Sequence, residues 1–280
     1  MLRSQYIVVS VAIVTLLGLY FGVPTRSSVK TAAAAMSAHR PNSGPIATMA
    51  AEDLIRSAKE KLDSTQRTSI GKLEPLAAAA NTNETKIAAF KKLSSAWNAV
   101  PNFAVGGLYA EKVAEVSATD SAWSITGTTY LLAMRTTEDD GIRQFCNERA
   151  INAFQSAISL KGTDVGHRIN LALCYVEGGK EPMKGIAMLT QLAKDYPQNE
   201  NVFITLGKLS LRTGQFDKAL GRFQAALAIA PKNGELYCLT AQAYEGLQNE
   251  NEARTAYQNC AKYTKDKSLR TKVEAMLKSK

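Results

Sequence analysis

Histidine is almost missing from this chain: only His39 and His167 occur. That argues against a His-rich metal centre and leaves few candidates for a general base. The four cysteines, Cys146, Cys174, Cys238 and Cys260, form no CxxC, and no histidine lies near enough in sequence to complete a zinc pattern. Also absent are GxSxG, a P-loop, a dinucleotide-binding glycine fingerprint and HExxH. Long β-branched alternation and an Asn-Gly hairpin between apolar runs are missing too, which excludes a β-rich body. The expectation is no enzyme, no catalytic residue, no cofactor and no metal. The net charge of +9 favours anionic surfaces or acidic partners. The basic residues are spread out and lack a recognition motif, so nucleic acid is not expected as a partner.

What the chain does contain begins with one long apolar run. After a tail at 1–5, residues 6–23 read YIVVSVAIVTLLGLYFGV without a charge. As a helix they span roughly 27 Å, close to the hydrocarbon thickness of a thin bilayer. Tyr6 and Tyr20 fall near the ends, where amphipathic rings favour the interface. An uncleaved transmembrane signal-anchor is the leading reading. A cleaved signal peptide is the second, although VPTRSSVK delays the small-residue tract TAAAAMSA; a buried helix is the third. Arg3 precedes the run, and Arg26 and Lys30 follow it. That charge bias leans towards a cytoplasmic body. The short leading tail and long downstream body are instead the form of a signal-anchor. The expectation is single-pass attachment to the inner membrane with an extracytoplasmic body. Residues 24–47 read as a flexible linker.

From residue 48 helical periodicity is nearly continuous. Residues 48–118 form N-terminal helices, with degenerate repeats as one reading: Phe90, Leu93 and Trp97 precede Trp123, Thr126 and Tyr130 by about one repeat length. AVGGLYAEK carries two glycines inside a helical pattern, a mark of close helix packing. Beyond 119 the chain repeats itself. Phe203, Leu206, Gly207 and Ser210 are followed by Ala219, Phe223 and Pro231. Thirty-four residues later stand Tyr237, Thr240, Ala241 and Tyr244, then Ala253 and Tyr257. Arg168, Leu171, Ala172 and Tyr175, then Gly185, Leu189 and Pro197, form an earlier copy. Trp123, Thr126, Gly127 and Tyr130, then Ala150 and Phe154, form the first, with the insertion RTTEDDGIRQ at its turn.

This pattern resembles the tetratricopeptide repeat, with its aromatic-x2-Leu-Gly-x2-Tyr, then Ala-x3-Phe, then Pro. The resemblance covers 119–265, about half the chain, in four copies at about 119–163, 164–199, 200–233 and 234–265. It implies an all-α, right-handed solenoid of helical hairpins, preceded by the one transmembrane helix. Small residues let paired helices approach, large ones fill the gaps between pairs, and each copy buries the next. Asn in PQN and PKN is suited to capping the following helix. Residues 266–280 read as a C-terminal capping helix. The stretch from Lys262 to Lys280 holds seven basic and two acidic residues, read first as a solvated face.

A second stripe on the first helices is the candidate partner-binding face. It comprises Ile169, Leu173 and Val176, then Ile204, Lys208 and Leu211, then Gln242 and Glu245. The competing reading is that these side chains pack against neighbouring helices. Some tetratricopeptide domains clamp a chaperone's C-terminal carboxylate, but Ile169, Leu173 and Cys238 occupy the expected places here, so that mode is not expected. Cys238 and Cys260 lie on one helix pair; buried reduced thiols are the primary reading and a disulfide the alternative. Glu138, Asp139 and Asp140 read as a solvated turn. The resemblance is to bacterial single-span proteins with a tetratricopeptide body. It implies a membrane scaffold or adaptor that holds a protein or peptide segment, beside secretion or periplasmic chaperone machinery. The alternative is a subunit that self-assembles into homo-oligomers through stacked repeats.

Overall fold

The computed structural model describes residues 51–279, and the tail, apolar run and linker at 1–47 lie outside them. Among the described residues there are thirteen α-helices and no strand, and no helix is long and apolar enough to cross a membrane. They are α1 (Ala51–Glu60), α2 (Ser64–Ala79), α3 (Asn83–Ala99), α4 (Phe103–Ser117), α5 (Asp120–Thr136), α6 (Asp140–Leu160) and α7 (Val165–Glu177). There follow α8 (Pro182–Asp195), α9 (Glu200–Arg212), α10 (Phe216–Ile229), α11 (Gly234–Gly246), α12 (Glu250–Tyr263) and α13 (Lys267–Ser279).

The starts of these helices follow local chemistry. Asp63, Thr82, Asn102, Thr119, Asp139, Asp164, Asn199 and Asn233 each accept a backbone N–H of the helix they precede. α8 begins instead on Pro182, whose fixed φ suits the first turn. The turns inside three hairpins need a left-handed residue. Gly179 (φ 75°) and Gly214 (φ 70°) supply it without a Cβ penalty, whereas Gln248 (φ 57°) adopts it in the last hairpin.

Packing follows from the small residues. A Cβ at Gly127 would lie 2.8 Å from the Phe154 ring, and one at Gly207 would overlap the ring of Phe223. Gly107 stands in the same relation to Tyr130, so the glycines of AVGGLYAEK are packing positions. The core is a chain of clusters, each spanning neighbouring hairpins. Trp97, Val105, Tyr130, Phe154 and Cys174 belong to the first; Ile169, Leu189, Val202 and Leu206 to the second. Ala219, Phe223 and Leu236 make the third, and Cys238, Tyr257, Cys260 and Val273 the fourth. No hairpin closes a core alone, which is how a solenoid is stabilised. The inserted segment after α5 is not a long loop: it lengthens α6 to 21 residues, with Asp139 as its cap and Asp140 paired to Arg143 at 3.6 Å.

Two cysteines correct the sequence expectation. Cys238 on α11 and Cys260 on α12 are joined by a disulfide, with Cα atoms 5.1 Å apart. The hairpin brings two small buried positions together within the span a bridge allows. Cys146 and Cys174 are buried free thiols.

Candidate functional site

Helices α5, α7, α9 and α11 touch in sequence, α5 on α7, α7 on α9, α9 on α11. These first helices form one continuous layer, and its outward rows are the surface open to a partner. Along α5 the exposed row runs Ser121, Ile125, Thr128 and Leu132, with Ile125 60% and Leu132 39% exposed. One-turn spacing puts these side chains on one face. At the repeat position of Thr128 stand Leu173 on α7, Lys208 on α9 and Gln242 on α11.

The eight residues of the sequence stripe divide by depth. Ile169 is in the core, 6% exposed, among Leu189, Val202 and Leu206. Leu173 and Val176 are half-buried and pack on that core, and Ile204 and Leu211 pack against the Phe223 cluster. Lys208, Gln242 and Glu245 are exposed. Glu245 also accepts a hydrogen bond from the Tyr257 hydroxyl at 2.8 Å, tying α11 to α12. The apolar members therefore give most of their surface to neighbouring helices, and the polar members face solvent.

At the C-terminal ends of the first helices an ion ladder crosses three repeats. Arg135 on α5 donates through Nε (2.6 Å) and Nη2 (2.9 Å) to the Glu177 carboxylate on α7. Arg212 on α9 reaches the same carboxylate at 3.4 Å. The hydrogen bonds to Glu177 raise the Arg135 pKa. Cations at helix C-termini also suit the helix dipole. Arg222 on α10 donates to the Leu206 carbonyl at 2.9 Å and to the Ser210 hydroxyl, and burial lowers its pKa.

At the opposite ends of α5 and α7 a cleft of about 420 Å³ is lined by Asp120, Ser124, Ile125, Thr128, Lys161 and His167, among others. The His167 side chain is 8% exposed, and its Nε2 lies 3.3 Å from Asp120 Oδ2 and 3.8 Å from Asp164 Oδ2. Lys161 Nζ stands 3.9 and 3.7 Å from the same two oxygens. Asp164 Oδ1 is engaged elsewhere, accepting the Gly166 N–H at 2.9 Å. Burial works against ionisation of Asp164, but His167, the Gly166 and His167 amides and Lys161 outweigh it and hold its carboxyl below the usual range. The sequence stripe missed this cleft and the Ile125–Leu132 row. The signal for the row was present in the repeat pattern, one position beyond the stripe.

A tetratricopeptide-repeat family model matches residues 169–199, which lie within the α7–α8 hairpin and the turn that follows it. Among curated proteins, the BBSome complex member BBS4 of Bos taurus is 29% identical over 96 residues, 34% of this chain and 18% of that protein. The chain thus spans less than a fifth of that relative's length. Among solved structures, TTC0263, a thermophilic TPR protein of Thermus thermophilus, aligns with a TM-score of 0.48 at 17% identity, covering 68% of this chain and 98% of that one. A crystal structure of MamA aligns at 0.43 and 16% identity, over 65% and 93%. YrrB, described as a TPR protein with an unusual peptide-binding site, aligns at 0.41 and 14%, over 81% and 100%.

Proposed function

We propose that this chain, built on tetratricopeptide hairpins, is a membrane-anchored scaffold that binds a protein or peptide segment along its first-helix layer and catalyses nothing. The observation that carries the reading is the exposed row of α5. Large apolar side chains at Ile125 and Leu132 stand on an otherwise polar surface, one helical step from the row that continues through Leu173, Lys208 and Gln242. Such spacing offers anchors for an extended or helical segment. Lys208 borders the same face, and the neighbouring Arg135–Glu177–Arg212 group keeps an excess of positive charge there, which favours an acidic segment.

The anchor is residues 6–23, and tethering there raises the effective concentration of the body for partners at the membrane. The Cys238–Cys260 bridge supports an extracytoplasmic body, because disulfides persist in oxidising compartments. A place beside secretion or periplasmic chaperone machinery is the most concrete version of this role.

The test is photocrosslinking in intact cells from a photoreactive residue replacing Lys208, with one replacing Lys272 on α13 as control. One discrete heterologous product from position 208 alone is the expected result. Self-crosslinks alone would replace the adaptor with a self-assembling subunit, and no product would end the reading of the first-helix layer as a binding face. Thiol mass-tagging of the same cells checks the compartment: Cys238 and Cys260 are oxidised if the body is outside the cytoplasm.

A further inference from the structure

We propose that Asp120, Asp164 and His167 form a binding site for a first-row divalent transition ion, with Zn²⁺ as its probe, that clasps the start of α5 to the start of α7. Asp120 Oδ2, Asp164 Oδ2 and His167 Nε2 all lie within 4.8 Å of one another. Zinc held by imidazole and carboxylate sits about 2.0–2.2 Å from each ligand, so a tetrahedral site separates its ligands by about 3.3–3.5 Å. The separation from Nε2 to Asp120 Oδ2, 3.3 Å, matches that edge, and the one to Asp164 Oδ2, 3.8 Å, exceeds it by a few tenths of an ångström. The Asp120–Asp164 separation is at most 4.8 Å, so the bound ion must draw the two carboxylates together.

Three further observations make the cluster suited to holding an ion. The His167 ring is buried, and its Nε2 shares a hydrogen bond with Asp120 Oδ2 at 3.3 Å while Asp164 Oδ2 stands 3.8 Å away, so one imidazole nitrogen reaches both carboxylates. One oxygen of Asp164 is fixed by the Gly166 amide, which leaves Oδ2 oriented towards His167, the way outer hydrogen bonds orient metal ligands. The cleft beside the three groups has room for water, so a fourth ligand can come from solvent, as in an open zinc site. The cation now beside the carboxylates, Lys161, is half exposed and stands beyond hydrogen-bond distance from both Oδ2 atoms. It is a loosely held counter-charge that a divalent ion displaces.

One imidazole and two carboxylates suit Zn²⁺, Co²⁺ or Mn²⁺ better than Cu⁺, which prefers sulfur. The site joins residues from two repeats and would stiffen the cleft next to Ile125 and Thr128. It does not rest on the adaptor reading.

The experiment is calorimetric titration of the purified, tag-free full chain with ZnCl₂ at pH 7.5, with far-UV circular dichroism to verify folding. One equivalent is expected to bind. Asp120→Asn and His167→Gln are expected to weaken binding at least tenfold, and Lys161→Ala to strengthen it severalfold by removing the competing cation. Should His167→Gln fail to fold, Asp120→Asn at the half-exposed start of α5 decides the matter. Absence of binding at 100 μM Zn²⁺, or binding that Asp120→Asn leaves unchanged, would overturn the site. The cluster would then be a histidine–carboxylate–lysine link between repeats.

Discussion

Gly207 presents its bare Cα to the face of the Phe223 ring, so the inner face of α9 and the outer helix α10 meet with no room for a methyl group. Phe223 is fully buried and cannot step aside. Gly207→Ala is expected to destabilise the chain by about 1–2 kcal/mol, overpacking outweighing the gain in helix propensity. Gly221 lies in the interior of α10 with nothing within 4 Å of an added methyl, and Gly221→Ala is expected to stabilise by roughly 0.5–1 kcal/mol. Urea unfolding of both variants gives the comparison. Equal effects of the same sign would refute the packing account.

The last hairpin turns on Gln248 in the left-handed region where the two preceding hairpins use Gly179 and Gly214. A Cβ there costs on the order of 1 kcal/mol. Gln248→Gly relieves it but adds freedom to the unfolded chain. A net gain of a few tenths of a kcal/mol, read as a small rise in Tm, is expected. A fall would show that the Gln248 side chain supplies a compensating contact.

The Cys238–Cys260 bridge closes a separation of 22 residues. Loop-closure reasoning gives it about 3 kcal/mol. The double variant Cys238→Ala, Cys260→Ala is expected to lose that amount and to become insensitive to dithiothreitol. The parent should lose stability on reduction. Parent stability unaltered by reduction would contradict the bridge.

Burial pushes the thiols of Cys146 and Cys174 up to about 12 from an ordinary value of 9.0, with Glu177 adding to the rise at Cys174. Between those values the unfolded chain has given up protons that the folded one keeps. Stability is therefore full below about pH 9 and falls as pH climbs towards 12, on the order of 1 kcal/mol per unit for each thiol. Replacing both with Ala should flatten the alkaline limb of a denaturation series. Iodoacetamide at pH 8 should leave both unlabelled until the chain is unfolded.

Much of this was legible because the repeat is a packing rule written into residue size. Phe203, Gly207, Ala219 and Phe223 recur at fixed offsets, and the hairpins follow. Pro231 marks the end of α10, and Asn233 caps α11, as such residues do locally. Depth was harder to read. Ile169 lies on the same stripe as Lys208, but α8 and α9 close over it, a tertiary effect that periodicity does not encode. The bond between Cys238 and Cys260 depends on the rotation of α11 against α12, which spacing alone leaves open. The Asp120–Asp164–His167 cluster depends on how closely the starts of α5 and α7 approach, which the repeat register does not encode.

A row of hairpins held by its neighbours unravels from its ends under tension. Pulled from the C-terminus, α13 peels away first, since it leans only on the last cluster. The force then meets a covalent stop. With a sequence separation of 22 between the bridged positions, roughly 7 nm of contour length stays hidden while the disulfide holds. A single molecule stretched in an optical trap would come up short by that length when oxidised and recover it when reduced.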